Sequence, residues 1–507
     1  MSKPVRQLHF ALYFALNVCF LVVLAIGCAI GNPTNPRLLY LVALFALCGS
    51  SIIDLDGLNG RYSLLAMFLA VYFVFFGTAD LFGLFSGKST VIAHSAFSPA
   101  EAVILIGGIM LVAAYRAATM IGNSVIPSSA PRDWSTPAIV AAGLVIWCVG
   151  TYAIYMWHVY VDTGITIAAT RKDLASQSPL AIDGYIFAQM VQPVGILLIA
   201  YAWRVRRMRY LAGLVIVIVA VQVVLGFVVD IKGLAMLGGI LVIVSIVLIE
   251  GRVPKLWLAG AIMFIQLAFP IFQASRAVLQ GDLHIARTTV AHHLGAAVKL
   301  ATSAEHRVNS GPDRAQTFFA RASLLGSVQM IVDRTGKDVP FEHGYTLVPL
   351  ISTFVPKILW SHKPQVPTGQ VVNKMFHVST QAATYISPSH LGELYWNFGW
   401  PGVLIGMPII GSILGFIGSR FNLSDARTVT RLLVIVVTIQ QLIMGFEGAI
   451  AVSYVVWLRS LAAIAVLHLL FARNPVIVHR LNIDGEPGAD ALPQGPAGTS
   501  LFPNLLS

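Results

Sequence analysis

Long apolar runs separated by short polar segments dominate the chain, and their length is its first structural signal. A helix that crosses the hydrocarbon core of a bilayer needs roughly 20 apolar residues. Measured against that length, the sequence predicts about twelve membrane-spanning helices. The predicted spans are residues 8–30, 38–53, 62–85, 101–121, 135–157, 182–203, 210–229, 233–249, 256–272, 400–418, 431–447 and 453–472. The predicted fold class is therefore all-α, a polytopic bundle of transmembrane helices.

One long polar segment interrupts this pattern between predicted spans nine and ten. It covers 127 residues, 273–399, and holds eight of the thirteen histidines of the chain. We therefore divide the chain into spans one to nine (1–272), a large loop with the candidate active site (273–399), spans ten to twelve (400–472) and a tail (473–507). The tail is rich in Gly and Pro, which predicts disorder.

The composition excludes an ordinary soluble enzyme. The hydrophobic set makes up 57% of the residues and charged residues only 11%, with a mean hydropathy of +0.79, whereas soluble domains are about 25% charged. A net charge of +11 in a soluble protein would suggest nucleic acid. In a membrane protein the basic excess lies instead in the loops that flank the bilayer, so we expect no nucleic-acid partner.

The distribution of Lys and Arg predicts the orientation. Basic residues are retained on the cytoplasmic side of a membrane, and most of those in the short loops share the side of the N-terminus. The cluster Arg204–Arg209 contributes most to this asymmetry. We predict a multi-pass protein with both termini cytoplasmic, an uncleaved first span and the long loop on the outer face of the membrane, which is the periplasm in a Gram-negative cell.

Two stretches of the loop have helical spacing. The first, about Ala315–Val332, predicts an amphipathic helix at the membrane surface or capping the bundle, with Arg321 away from its apolar face. The second runs from Pro388 to Phe398, with Ser387 as the predicted N-cap and Gly399 as the stop. Its polar face carries His390, Glu393 and Asn397, and its apolar face carries Leu391, Leu394, Tyr395 and Phe398.

Three motifs in and next to the loop carry a family resemblance. They are Gly344-Tyr345, Val355-Pro356-Lys357-Ile358-Leu359-Trp360-Ser361-His362-Lys363-Pro364 and Gly392-Glu393-Leu394-Tyr395-Trp396-Asn397-Phe398-Gly399-Trp400-Pro401-Gly402. With these motifs the chain resembles the oligosaccharide repeat-unit polymerases of the O-antigen (Wzy-type) class. The family more often has Arg where Lys357 stands.

The resemblance implies an inner-membrane glycosyltransferase. Such enzymes join undecaprenyl-diphosphate-linked oligosaccharide repeat units into O-antigen, capsular polysaccharide or exopolysaccharide at the periplasmic face. The implied partners are the lipid-linked oligosaccharide, the bilayer and a chain-length regulator (polysaccharide co-polymerase), and no cofactor is implied. The resemblance also implies substrate-binding roles for Tyr345, Lys357 and Lys363.

Transfer from a lipid diphosphate makes its own chemical demands. Negative charge builds on the departing diphosphate, which cations near the membrane surface can stabilise, and the acceptor hydroxyl must lose a proton to a base. Arg276 follows span nine at the height of a lipid diphosphate, and its alternative role is an interfacial arginine that reaches water. Arg321 has the alternative role of a solvated charge, and Lys357 and Lys363 could belong to an aromatic and cationic belt around Trp360.

Glu393 is the carboxylate we predict to be the base or the acceptor-orienting group, with Arg276 as its catalytic partner on the diphosphate. The alternative for Glu393 is capping, or pairing with a loop cation at the start of span ten. His390 and Asn397 on the same face are predicted to hydrogen-bond sugar hydroxyls, although a histidine on a surface helix rarely does so. His284, His292 and His293 lack matching acidic or cysteine ligands, so we expect no metal site.

Three other functions stay open from the sequence alone. An O-antigen ligase, which transfers finished glycan to lipid A core, shares the topology and the type of donor. A flippase or secondary transporter for polysaccharide is a second alternative, although charges deep in several spans would then be expected. A non-catalytic scaffold for polysaccharide assembly is the third.

Overall fold

The structure is a computed structural model, and most of the chain that it describes is helical. The described residues are 36–52, 64–86, 98–125, 132–160, 179–228, 232–250, 256, 259–260, 263, 323–352, 355, 360, 369–378, 386–420 and 428–475. The helices are α1 (Pro36–Ile52), α2 (Leu64–Ser86), α3 (Pro99–Val125), α4 (Thr136–Tyr160), α5 (Pro179–Arg204), α6 (Leu211–Val228), α7 (Lys232–Glu250), α8 (Leu325–Arg334), α9 (Pro349–Ser352), α10 (Gly369–Met375), α11 (Ser389–Phe398), α12 (Trp400–Arg420), α13 (Val429–Thr438) and α14 (Ile450–Phe471). Two short strands complete the described part, β1 (Arg132–Trp134) and β2 (Ala472–Pro475).

Five of the described helical segments are long and apolar enough to cross a membrane. They are Pro99–Gly122, Thr136–Met156, Trp400–Arg420, Val429–Glu447 and Ile450–Phe471. Four shorter apolar segments lie within α1, α2, α6 and α7. The molecule is therefore a helical membrane protein by length and composition, whereas the count of twelve spans stays a prediction. Predicted span 8–30 lies outside the described residues, as does nearly all of span 256–272.

The most extensive helix pairs, α3 with α12 and α4 with α5, pack closely because glycines line their contacts. A Cβ atom at Gly411 or Gly415 of α12 would clash with the backbone carbonyl of Leu111 or Tyr115 on α3. Gly195 of α5 likewise faces the backbone of α4. In a bilayer the attraction between apolar helices comes largely from close packing, and small residues permit it.

Helix α13 does not end as a regular helix. It continues through a π-helical turn, Ile439–Ile443, and a 3-10 turn, Met444–Glu447, before the chain reverses into α14. The Trp457 indole of α14 donates to the Thr438 hydroxyl (3.1 Å), which ties the two helices together where the regular hydrogen-bond ladder changes. The start of α13 and the start of α14 consequently lie at opposite ends of this antiparallel pair.

At the end where α13 begins, β1 pairs with β2 in an antiparallel ladder. Asp133 of β1 is buried and accepts hydrogen bonds from the Arg206 guanidinium (2.7 Å), the Tyr201 hydroxyl (3.2 Å) and the Val429 amide (3.3 Å). Because these partners belong to segments far apart in the sequence, one carboxylate joins β1, the end of α5 and the start of α13.

At the opposite end, α8 lies against α2, α3 and α11. The amide of Leu324, just before α8, donates to the Phe75 carbonyl of α2 (2.8 Å). Leu325, Val328 and Ile331 are buried, so the helix covers the end of the bundle. The predicted helix Ala315–Val332 has the wrong bounds: the structure has coil at residues 323–324 and helix over Leu325–Arg334, and residues 315–322 lie outside the described part.

Candidate functional site

The candidate site is built on α11, a ten-residue helix that is buried on almost every side. It packs against α8, against α12 and against the beginning of α14. His390, Glu393 and Asn397 share one face of α11, as predicted, and each is 0% exposed. The expectation of a surface histidine is therefore wrong, because α14 and the chain around residue 346 cover the polar face.

The sequence predicted the C-terminal end of α11 correctly and its N-terminal cap incorrectly. The helix ends at Gly399, which has φ +64° and whose amide donates to the Tyr395 carbonyl (2.7 Å), as the stop signal predicts. The predicted cap at Ser387 is wrong, because its hydroxyl donates instead to the Glu447 carbonyl (2.5 Å). Ser389, at φ +58°, takes the role, since its hydroxyl accepts the Gly392 amide (3.1 Å).

Glu393 makes one firm hydrogen bond. Its Oε2 atom accepts the backbone amide of Ile450 (2.6 Å), the first residue of α14. Its Oε1 atom has no hydrogen-bond partner of ordinary geometry among the described residues. Of the alternatives drawn from the sequence, capping is thus observed, but the helix capped is α14, the last apolar helix, and not the helix of predicted span ten.

The surroundings of Glu393 favour its neutral form. Burial raises the pKa of Glu393 to about 7, while the Ile450 amide and the nearby Thr346 hydroxyl lower it by less. Within the described part of the chain no cation pairs with this carboxylate. A carboxyl group with a pKa near neutrality exchanges its proton readily at physiological pH, which is the property that general acid–base catalysis needs.

Asn397 connects α11 to the motif Gly344-Tyr345. Its Oδ1 accepts the Gly344 amide (2.9 Å), and its Nδ2 donates to the Thr346 hydroxyl (2.7 Å) and to the Glu393 carbonyl (2.8 Å). Two of the three sequence motifs, about fifty residues apart, therefore meet at this amide. Contact between Asn397 and a sugar stays a prediction, and it would require some of these bonds to be exchanged.

Gly344 begins the segment around Thr346 that covers Glu393, and the backbone at this position favours glycine. Its φ of +90° lies in the left-handed region that glycine adopts without strain, and a Cβ there would lie 3.0 Å from the ring of Phe398. Tyr345, which follows at the start of a 3-10 turn, is 61% exposed. Its side chain is accessible for the substrate-binding role that the resemblance implies.

His390 is enclosed by aromatic rings. Its imidazole lies 5.0 Å from the Phe446 ring centroid and 5.7 Å from that of Tyr454. Burial lowers the pKa of His390 to about 3, against a smaller opposing effect of the Gly445 carbonyl. The imidazole is therefore neutral at physiological pH, so it does not supply a cation to Glu393 or to a diphosphate.

Four predicted site residues lie outside the described residues: Arg276, Arg321, Lys357 and Lys363. Their roles on the diphosphate stay predictions. Trp360, between the two lysines, is 41% exposed. In the described part of the chain no group of three or more His, Cys, Asp or Glu side chains is placed to hold a metal ion.

Sequence reasoning missed three partners of the site: Thr346, Phe446 and the Ile450 amide. A threonine and a phenylalanine in apolar surroundings carry no local signal of function, and a backbone amide carries none at all. The π-helical turn next to Phe446 is a feature that often accompanies functional sites, but it is visible only in the structure.

Comparison of this chain with protein-family models, with curated proteins and with solved structures finds no match.

Proposed function

We propose that this protein is a membrane glycosyltransferase that polymerises lipid-diphosphate-linked oligosaccharide repeat units at the periplasmic face of the bacterial inner membrane. One observation supports the proposal most: the predicted catalytic base, Glu393, is a fully buried carboxyl group with a pKa of about 7. It lies where the motifs around Gly344 and Gly392 meet. A solvated or salt-bridged carboxylate would instead be a weak base at neutral pH.

In the proposed reaction the acceptor hydroxyl oxygen attacks the anomeric carbon of the donor sugar. A glycosidic carbon–oxygen bond forms, the bond from the anomeric carbon to the diphosphate breaks, and the electron pair of that bond leaves with the diphosphate. The hydroxyl proton passes to Oε1 of Glu393, while Oε2 stays bound to the Ile450 amide and holds the carboxylate in orientation.

In this proposal the basic residues of the loop stabilise the negative charge on the departing diphosphate. We propose that Arg276, Lys357 and Lys363 hold it, with Arg321 next to the lipid headgroups. Positioned cations stabilise negative charge that develops in the transition state. Substrate reaches Glu393 only when the segment around Thr346 moves, because that segment and the start of α14 cover the carboxylate.

The first experiment tests the class and the step together. A clean deletion strain is analysed by surface-glycan electrophoresis, and we expect lipopolysaccharide capped with a single repeat unit. Loss of a ligase would leave no capped lipopolysaccharide and would strand polymer on the carrier. A deletion strain with normal long-chain glycan would overturn the polymerase and the ligase alike.

The second experiment separates catalysis from capping at Glu393. Glutamine keeps an oxygen that can accept the Ile450 amide but cannot take up a proton near neutral pH. Complementation with Glu393→Gln should therefore leave protein abundance normal and abolish polymer, as should Arg276→Ala. Normal polymer from Glu393→Gln would reduce Glu393 to a cap of α14 and end its role as the base.

The third experiment tests the predicted side of the membrane. Single cysteines introduced into the loop, in a background without the four native cysteines, are treated with an impermeant thiol reagent on intact spheroplasts. A periplasmic loop is labelled without lysis. Labelling only after lysis would place the loop in the cytoplasm and defeat the proposal, since lipid-linked repeat units would then be on the wrong side.

A further inference from the structure

The turn between α5 and α6, at the end of the bundle opposite to α11, forms a cleft rich in arginine. The cleft has a volume of about 250 Å³ and is lined by Trp203, Arg204, Arg207 and Arg209. Four arginines fall within six residues here, counting Arg206. Such a concentration of positive charge attracts anions to the surface around it.

The protein itself compensates the charge of Arg206. The Arg206 guanidinium donates to Asp133 (2.7 Å) and to the Trp134 carbonyl (3.1 Å), so both of its partners belong to β1. Arg207 and Arg209 are exposed and have no acidic partner in the part of the chain that the structure describes. Their charges are therefore available to an external anion.

The turn has a defined shape. Arg207 adopts φ +55°, an uncommon conformation for an arginine, and the Arg209 amide donates to its carbonyl (2.9 Å). The Leu211 amide, at the start of α6, donates to the Met208 carbonyl (2.9 Å). The backbone that carries Arg207 and Arg209 is thus held in place before any ligand binds, which reduces the entropy lost on binding.

The location selects the kind of anion. Because the turn joins two apolar helices, we expect it at the level of the lipid headgroups. Trp203 lines the same cleft, with the Arg204 guanidinium 4.3 Å from its ring centroid. Tryptophan is enriched at the membrane interface, and basic residues beside it attract anionic lipid. A guanidinium matches the paired oxygens of a phosphate group.

We propose that this cleft is a binding site for the phosphate headgroup of an anionic phospholipid, with Arg207 and Arg209 as its principal ligands. The site is separate from α11 and does not depend on the proposed enzyme activity. Free phosphate has the same chemistry, and the interfacial position favours the lipid.

The test is a titration of the purified full-length protein in detergent with phosphatidylglycerol, followed by native mass spectrometry. Each basic residue near an anionic lipid surface contributes roughly fivefold in affinity. We expect Arg207→Gln/Arg209→Gln to weaken phosphatidylglycerol binding roughly 30-fold and to leave phosphatidylcholine binding unchanged. Unchanged phosphatidylglycerol binding would overturn the proposal.

A matched control removes the same charge at the other end of the bundle. Lys337 and Lys374 are exposed, so Lys337→Gln/Lys374→Gln should leave phosphatidylglycerol affinity intact. An equal loss in this control would mean that net charge, and no particular site, governs binding. If the double arginine variant does not fold, Arg209→Gln alone should lower the affinity roughly fivefold, and no loss there contradicts the site.

Inorganic phosphate distinguishes the two sources of the anion. We expect millimolar phosphate to compete weakly with phosphatidylglycerol, since it lacks the acyl chains that bring the headgroup to the interface. Phosphate binding as tight as lipid binding, and lost in the same variant, would overturn the lipid assignment in favour of a soluble phosphate ligand.

Discussion

Two buried carboxylates at opposite ends of the molecule, Asp133 and Glu393, have contrasting surroundings. Asp133 contacts the first residue of α13 and Glu393 the first residue of α14, and each accepts the backbone amide there. Asp133 has in addition a guanidinium at 2.7 Å and a tyrosine hydroxyl at 3.2 Å. Glu393 has no cation beside it in the described part of the chain.

The two acids differ in whether a cation lies beside them, and this difference assigns them different roles. Paired and fully hydrogen-bonded, a carboxylate joins segments of the fold; without a cation, burial favours its neutral form and its pKa moves toward neutrality. By this argument Asp133 is a structural residue and Glu393 is suited to proton transfer.

Glu393→Gln should lower the rate of polymer formation by about 10²- to 10⁴-fold, the usual contribution of a general base. Asp133→Asn should leave the rate per folded molecule unchanged. The measurement is polymer formed in vitro from lipid-linked repeat units, normalised to the folded fraction seen by gel filtration. Equal losses in the two variants would remove the distinction between the acids.

Asp133→Ala should lower the free energy of unfolding by roughly 3 kcal/mol, since it leaves Arg206 and the amide of Val429 without their acceptor. The effect falls at the low end of the range for buried ion pairs because the Arg206 side chain is 32% exposed. SDS titration in mixed micelles measures it. In a double-mutant cycle with Arg206→Ala, additive losses would show that the pair does not act as a unit.

The stability effect of Glu393→Gln should depend on pH. Because the pKa of Glu393 is raised from 4.5 to about 7 by burial, the native state binds more protons than the unfolded state between these values, and stability falls as pH rises through that window. Glu393→Gln has no carboxyl group at this position, so its stability does not fall in that window. It should be more stable than the wild type by about 3 kcal/mol at pH 8 and by about 1 kcal/mol or less at pH 5. SDS titrations at both pH values that gave one constant difference would contradict the raised pKa.

Gly344→Ala should destabilise the segment that covers Glu393 by about 1–2 kcal/mol, because alanine at φ +90° is strained and its Cβ would press on Phe398. Gly326→Ala on α8 is the matched control, since a Cβ there meets nothing within 4 Å. It should be neutral or slightly stabilising. Limited proteolysis and SDS titration would detect the difference, and equal behaviour would mean that Gly344 tolerates a side chain.

The length of the apolar runs was enough to predict the positions of several helices of the bundle. The predicted spans 400–418, 431–447 and 453–472 correspond to helical segments Trp400–Arg420, Val429–Glu447 and Ile450–Phe471. Helical periodicity also placed His390, Glu393 and Asn397 on one face, and Gly399 at the end of their helix. These features follow from local rules, namely hydrocarbon thickness, the helical repeat and the conformational freedom of glycine.

Only the tertiary structure decided what surrounds the face of α11 that carries His390, Glu393 and Asn397. The hydroxyl of Ser387 is drawn away from capping by the Glu447 carbonyl, sixty residues further along the chain. Glu393 is enclosed by α14 and by the chain at Thr346, and Asp133 finds its cation in Arg206. Burial and the choice of partner depend on contacts between distant segments, so the sequence determined which acids are present and on which helical face, while packing determined which of them acquired a cation.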